Sequence, residues 1–336
     1  MSSTEGQQLA LPVTDPDLEA RLRTRLDEVE KALYGHVQSR FPFVTEAALH
    51  LMDAGGKRFR PLLVLLAAEA GDHPNVDEVV TAACVVEITH LGSLYHDDVM
   101  DEADLRRGSE SANARWDNHV AILTGDFLFA RSSELTAELG PEAVHIQAQT
   151  FARLVEGQIM ETQAPQPGED AVAHHLDVIA GKTGILIATS ARYGALFGGA
   201  PKSVEEALTA YGDIVGAAFQ ISDDILDIAS DGDVSGKTPG TDLREGVPTL
   251  PVLMARRAAG PSDARLVELL DSDLAASDDD LAEALALLRA HPAMDEARAY
   301  VLEEARRAKE CLAPVPAGPV REALEAFADI VATRSA

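Results

Sequence analysis

Apolar positions recur at i, i+3 and i+4 along most of the chain, and no segment sustains the two-residue alternation of a half-buried strand. Residues 17–37 (DLEARLRTRLDEVEKALYGHV) therefore predict an amphipathic helix. The same spacing predicts helices over 119–139, 141–162, 183–198, 262–270, 280–290, 293–312 and 319–333. Residues 75–103 are apolar nearly all round, which predicts a buried central helix. Residues 203–229 open with Ser203 and Glu206 at capping-box spacing. Turn residues separate these runs at Gly71-Asp72-His73-Pro74, Leu139-Gly140-Pro141, Gly198 to Pro201 and 230–241. There is no internal repeat, low-complexity tract or linker-like boundary. The expectation is a loose N-terminal segment, 1–15, followed by one all-α domain, 16–336.

Composition narrows the function classes. The 336 residues are 46% hydrophobic and 25% charged, enough to bury a core. Asp and Glu number 56 against 28 Lys and Arg, a net charge of −28. Such an acidic surface argues against nucleic-acid binding. The cysteines, Cys84 and Cys311, make neither a disulfide framework nor a zinc site, so a reducing cytoplasm is expected. The N-terminus lacks the basic and apolar regions of a signal peptide, and no apolar run is long enough to span a membrane.

Candidate chemistry begins with Asp97-Asp98-Val99-Met100-Asp101, a D-D-x-x-D late in the buried-type helix. On a helix Asp97 and Asp101 share a face, with Asp98 about 100° round. Hard oxygen donors at this spacing suit Mg²⁺, which usually keeps waters and bridges to substrate phosphates. Asp223-Asp224-Ile225-Leu226-Asp227 repeats the pattern late in a second long helix. Facing each other, the two clusters would hold about three Mg²⁺ around one diphosphate. The run Asp278-Asp279-Asp280 is different, because Ser277 reads as an N-cap and the helix dipole favours carboxylates in the first turn.

A diphosphate also needs cations. Lys57, Arg58 and Arg60 stand in GGKRFRP, Arg106-Arg107 follows the first cluster, and Lys237 follows the second. Lys182 and Thr183 stand in GKTG. In so acidic a chain, basic residues gathered beside both clusters point to anion binding.

With GGKRFRP, HDDVMDEADLRRG, LTGDFLFA, EGQ (156–158), GKTG, FQISDDILD and GKTPGTDLREGVPTLP in this order, the chain resembles the all-trans polyprenyl diphosphate synthases. The resemblance runs from about Leu18 onward. It implies the isoprenoid synthase fold, a large single-domain helical bundle around a central substrate cavity. Asp97, Asp98, Asp101, Asp223, Asp224 and Asp227 match the metal ligands that hold the allylic diphosphate. Arg106, Lys182 and Lys237 match its cationic ligands, and Lys57, Arg60, His90 and Arg107 match the isopentenyl diphosphate pocket. Thr183 and Gln220 match polar groups near the reacting carbons. Two positions depart: Val247 replaces a common lysine, and Glu110 replaces a common proline.

The implied reaction is ionisation of the allylic diphosphate, attack by the isopentenyl double bond, and loss of a proton. Short-chain members often carry aromatics four and five residues before the first aspartate, where this chain has Ser93 and Gly92. Thr89, Val86 and Val85 continue that helix with modest side chains. At about 5.4 Å per turn, roughly one isoprene unit, the open face implies a long product of about C30 to C50. The small-residue face has a second reading as helix-packing surface, and Phe127 and Phe129 are candidate floors. Alternatives are a C15 or C20 synthase, a non-catalytic subunit of a heteromeric synthase, or a terpene cyclase. A homodimer, and transient membrane contact for product release, are what the resemblance implies.

Overall fold

A computed structural model describes residues 9–230 and 239–334. Its helices are α1 (Pro16–His36), α2 (Pro42–Asp53), α3 (Phe59–Ala68), α4 (Asp77–Met100), α5 (Ala112–Arg115), α6 (Asn118–Glu138) and α7 (Pro141–Glu161). They continue as α8 (Ala171–Ile179), a π-helical turn (Ala180–Gly184), α9 (Ile185–Phe197) and α10 (Lys202–Ala229). Then come α11 (Thr241–Arg244), α12 (Leu250–Ala258), α13 (Ala264–Leu270), α14 (Asp278–Ala290), α15 (Pro292–Cys311) and α16 (Pro319–Thr333). One antiparallel hairpin joins Leu105–Arg106 to Ser109–Glu110. The fold is all-α, as the periodicity predicts.

The chain divides into two compact units. The first comprises Met1–Phe151, Leu186–Ala210 and Leu312–Leu324, the second Ala152–Ile185, Tyr211–Cys311 and Glu325–Ala336. In the first, α4 packs against α1, α3 and α6, which explains its nearly all-round apolar sequence. Asp15 caps α1 by accepting from the Leu18 N–H at 2.7 Å, with Pro16 set at the first helical position. The buried Tyr95 hydroxyl donates to the Ala47 carbonyl at 2.5 Å and accepts from the Leu51 N–H at 3.2 Å, fixing α2 on α4.

In the second unit, α12 packs on α8, α14 and α15. Ser277 caps α14, accepting from the Asp280 N–H at 3.2 Å, so that aspartate run sits where the helix dipole favours it. Arg289 on α14 donates to the Ile228 and Ser230 carbonyls at 2.7 and 2.8 Å, satisfying the end of α10.

Two features depart from the pattern reading. Helix α10 begins at Lys202, because the Val204 and Glu205 N–H groups donate to Pro201 O at 2.9 and 3.0 Å. Ser203 is therefore inside the first turn and does not cap. Helices α2, α8 and α12 are short and interrupted by polar or proline residues, so their period is weak until neighbours cover them. Among the described residues no helix is long and apolar enough to cross a membrane.

Candidate active site

In the first unit, α4 delivers Asp97, Asp98 and Asp101 to its C-terminal end. Asp98 is fully buried, and one of its oxygens accepts from Arg106 Nε at 2.6 Å. Its other oxygen, Oδ2, is buried without a hydrogen-bond partner. Burial pushes the Asp98 carboxyl above the usual range, and Arg106 only partly offsets this. Asp101 is exposed, 3.8 Å from Arg106 Nη2. Glu102 and Asp104 are exposed, in keeping with ordinary surface charge. The hairpin turns at Arg107 and Gly108, both at positive φ (55° and 78°), as a tight two-residue loop requires. That turn sends the two arginines in different directions.

Arg107 donates to the Leu51 carbonyl at 2.9 Å and to the Gly55 carbonyl. A Cβ on Gly56 would lie 2.9 Å from Arg58 Nη1 and 3.0 Å from Arg107 Nη1, so glycine there lets two guanidinium groups close together. Arg58 is buried and committed to Glu30 and, at 3.2 Å, to the buried Glu87. Burial alone lowers the Arg58 pKa, but Glu87 and Glu30 more than offset it. Arg58 is thus structural, while Lys57 is exposed. Arg60 Nε is buried without a partner, and burial, with Arg107 adding, pulls its pKa down against Glu87.

His90 is driven well below its ordinary 6.5, first by burial and then by Arg60, Arg107, Arg106 and Arg58. The folded state therefore holds His90 neutral, and the unfolded chain protonates first. Stability is complete above the unfolded pKa and is lost as pH falls below about 6.5, by up to about 1.4 kcal/mol per pH unit. Thermal unfolding of wild type and His90→Gln between pH 7.5 and 5.5 checks this: wild type should lose more stability, and equal slopes would contradict it.

The residues expected to set chain length have a mixed setting. A Cβ on Gly92 would lie 3.1 Å from Phe129 Cε1 and 3.3 Å from Gly125 O, so Gly92 lets α4 and α6 touch and Phe129 lies over it. Val86 and Thr89 are fully buried. Thr89 Oγ1 lies 2.7 Å from Ser132 Oγ and accepts from Gln147 Nε2 at 2.8 Å. Ser93 is half-buried, donating to the His90 carbonyl at 2.8 Å. Of the two candidate floors, Phe127 lies beneath Arg131, whereas Phe129 meets Phe151 with ring centroids 4.7 Å apart and planes tilted by 57°, beside a groove of about 180 Å³.

In the second unit, the π-helical turn carries Lys182 and Thr183. A Cβ on Gly157 would lie 2.6 Å from Lys182 N and 2.8 Å from Gly181 C, which explains EGQ and GKTG as one contact between α7 and the turn. Lys182 Nζ pairs with Glu161 at 2.6 Å. Thr183 Oγ1 stands 3.5 Å from Gln220 Oε1, and Gln220 Nε2 donates to Asp224 at 3.1 Å. Asp224 is buried, with His175 Nε2 3.6 Å from its other oxygen. Both oxygens of Asp227 accept backbone N–H groups, from Thr241 at 3.2 Å and Asp242 at 3.1 Å, at the start of α11. Asp223 pairs with Arg334 at 3.0 Å. Arg334 also stacks 3.8 Å over the Phe219 ring and donates to Ser222 Oγ at 2.9 Å. Lys237 lies outside the described residues.

Sequence patterns single out Arg58 only as one more cation for an anion, whereas it pairs with Glu30 and Glu87; Glu87, Glu161, His175 and Arg334 go unmarked, because their partners are remote along the chain. Among the described residues no three His, Cys, Asp or Glu side chains close into a metal cage. Mg²⁺ does not need one, since it takes one or two carboxylates and completes its shell with waters and phosphates. The orphaned oxygen of Asp98 and the all-oxygen donor set fit such a hard cation.

Comparison with known proteins gives the family. Residues 41–288 match the family model described as polyprenyl synthetase. The chain is 48% identical over 317 residues, 94% of each protein, to a nonaprenyl diphosphate synthase of Mycobacterium tuberculosis. It resembles the crystal structure of a geranylgeranyl pyrophosphate synthase from Corynebacterium glutamicum complexed with calcium and isoprenyl diphosphate, with TM-score 0.88, 44% identity and coverage of 96% of this chain and 99% of that one. A decaprenyl diphosphate synthase from Rhodobacter capsulatus gives TM-score 0.86 at 35% identity, covering 95% and 99%. With motifs, helical fold and near full-length similarity in agreement, the chain belongs to the polyprenyl synthetase family of prenyltransferases.

Proposed function

We propose that this enzyme condenses isopentenyl diphosphate with an allylic diphosphate to build a long all-trans polyprenyl diphosphate of about C30 to C50. The observation that carries the reading is Asp98, a buried carboxylate with one oxygen on Arg106 and the other unpartnered, within the family's first aspartate motif. Its relatives named for long products, at 48% identity for nonaprenyl and 33% for octaprenyl diphosphate, support the length. Residues 16–336 act as one catalytic domain in this reading.

Asp97, Asp98, Asp101, Asp223 and Asp224 hold divalent metal, Mg²⁺ at about three ions per site, for the allylic diphosphate. Asp227 contributes while anchoring the start of α11. The bound metal supplies charge neutralisation for the departing diphosphate. Arg106, Lys182 and Lys237 donate to the same leaving group, and Lys182 exchanges Glu161 for it. Lys57, Arg60 and Arg107 bind isopentenyl diphosphate beside neutral His90, whose missing charge keeps the arginine cluster from further repulsion. The allylic C–O bond breaks to leave a cation and diphosphate. The isopentenyl double bond supplies the electron pair of the new C–C bond, and the released diphosphate takes the proton lost on forming the new double bond. Thr183 and Gln220 line the reacting carbons, and exclusion of water protects the cation.

Chain length is set along α4 at Ser93, Gly92, Thr89 and Val86, with Phe129 against Gly92. Ser93→Phe should shorten the products without blocking ionisation, and unchanged lengths would contradict this. A homodimer fits the apolar face that Val144, Phe151, Val155 and Ile159 expose along α7. Ile159→Asp should halve the sedimenting mass; a wild type that sediments as a monomer would overturn the dimer. A cytoplasmic location fits the two free cysteines. Diphosphate release from the two substrates, abolished by a chelator and restored by Mg²⁺, tests the reaction. Chelator-insensitive turnover would contradict the metal assignment.

A further inference from the structure

We propose that His175 is a positioning residue for the second aspartate motif: its Nε2–H is the donor that fixes the outer oxygen of Asp224 when metal and diphosphate bind. This rests on the reading of Asp224 as part of the metal site. The two histidines of α8, His174 and His175, are neighbours in sequence but about 100° apart on the helix. His174 is occupied, with Nδ1 3.5 Å from Glu169 Oε1 and Nε2 3.3 Å from the Met160 carbonyl. His175 has a different setting. Its Nε2 is buried and makes no hydrogen bond, although it stands 3.6 Å from Asp224 Oδ2.

A buried ring nitrogen without a partner loses its water and gains nothing in return, so its presence here calls for a state in which it is paired. Asp224 presents the complementary half. It is buried, and Gln220 Nε2 donates to its Oδ1 at 3.1 Å, leaving Oδ2 turned to His175. A shift of about half an ångström makes the missing hydrogen bond. Helix α8 runs directly into the π-helical turn of Lys182 and Thr183, and Thr183 reaches Gln220. Closing His175 onto Asp224 therefore ties the carboxylate to the element that carries the leaving-group lysine. Carboxylate ligands held by such outer contacts bind metal about 10- to 100-fold more tightly than free ones.

The test is Mn²⁺ binding in the presence of inorganic pyrophosphate, followed by electron paramagnetic resonance on the full chain, with melting temperature measured in parallel. His175→Phe keeps the bulk and removes the donor, so Mn²⁺ should bind about 10- to 100-fold more weakly while the protein melts at or above the wild-type temperature. His175→Gln restores an N–H at similar reach and should return affinity to within about 3-fold of wild type. His174→Phe should leave Mn²⁺ affinity unchanged. In the Asp224→Asn background, His175→Phe should add less than about 2-fold, because the partner is already gone. Wild-type affinity in His175→Phe, equal loss in His175→Gln, or full additivity with Asp224→Asn would overturn the role of His175. A wild type that binds no Mn²⁺ with pyrophosphate would instead overturn the metal reading, and this proposal with it.

Discussion

Asp98→Asn should lower kcat by about 10³-fold, close to 4 kcal/mol of transition-state stabilisation, while the protein melts at or above the wild-type temperature. The two effects have one cause. Asp98 is fully buried, and burial raises its pKa, so the ionised carboxylate is held at a cost to folding that Arg106 only partly offsets. Asparagine keeps the shape and can still accept from Arg106 Nε. It removes the charge whose second oxygen has no protein partner. A residue that costs stability and is needed for turnover is what a preorganised ligand site produces. The check is a melting curve beside steady-state kinetics. Loss of both stability and activity would make Asp98 a structural residue.

Gly157→Val should be nearly as damaging, by a different route. Its Cβ alone would stand 2.6 Å from Lys182 N and 2.8 Å from Gly181 C, against backbone that cannot rotate away. The π-helical turn must then move, carrying Lys182 and Thr183 with it. Overpacking of this kind costs about 1–3 kcal/mol of stability. A displacement of about 1 Å at Lys182, the proposed ligand of the leaving group, should cost about 10²-fold in kcat. Gly35, also helical, has nothing within 4 Å of an added Cβ, so Gly35→Ala should be neutral or stabilising by up to about 1 kcal/mol. Chemical denaturation and kinetics on both variants separate a general glycine effect from this contact. Normal kinetics in Gly157→Val would show that the turn does not position Lys182.

Much of the fold is written in local pattern. Helix α4 is apolar all round because α1, α3 and α6 cover it, and Ser277 caps α14 as its position predicts. The aspartate motifs stand at the ends of α4 and α10, and their spacing puts the carboxylates of each on neighbouring faces. Partnerships between distant residues are different. Arg58 shares a basic run with Lys57 and Arg60, yet it is spent on Glu30 and Glu87, which lie on other helices. Asp227 belongs to a metal motif by spacing but also anchors α11 through two backbone N–H groups. Arg334 gives no local signal at all, because its partners Asp223 and Phe219 are more than a hundred residues away. Gly92 shows the same limit: a small residue serves equally for an open tunnel or a helix contact, and only Phe129, 3.1 Å from where a Cβ on Gly92 would stand, shows how closely α4 and α6 meet there.

One incubation decides whether this enzyme is a metal-dependent synthase with a long product: labelled isopentenyl diphosphate, Mg²⁺ and separate C10, C15 and C20 allylic diphosphates, with product length read out. All-trans products of about C30 to C50 that disappear with a chelator are the expected result. Products ending at C15 or C20, or no incorporation with any primer, would overturn this function.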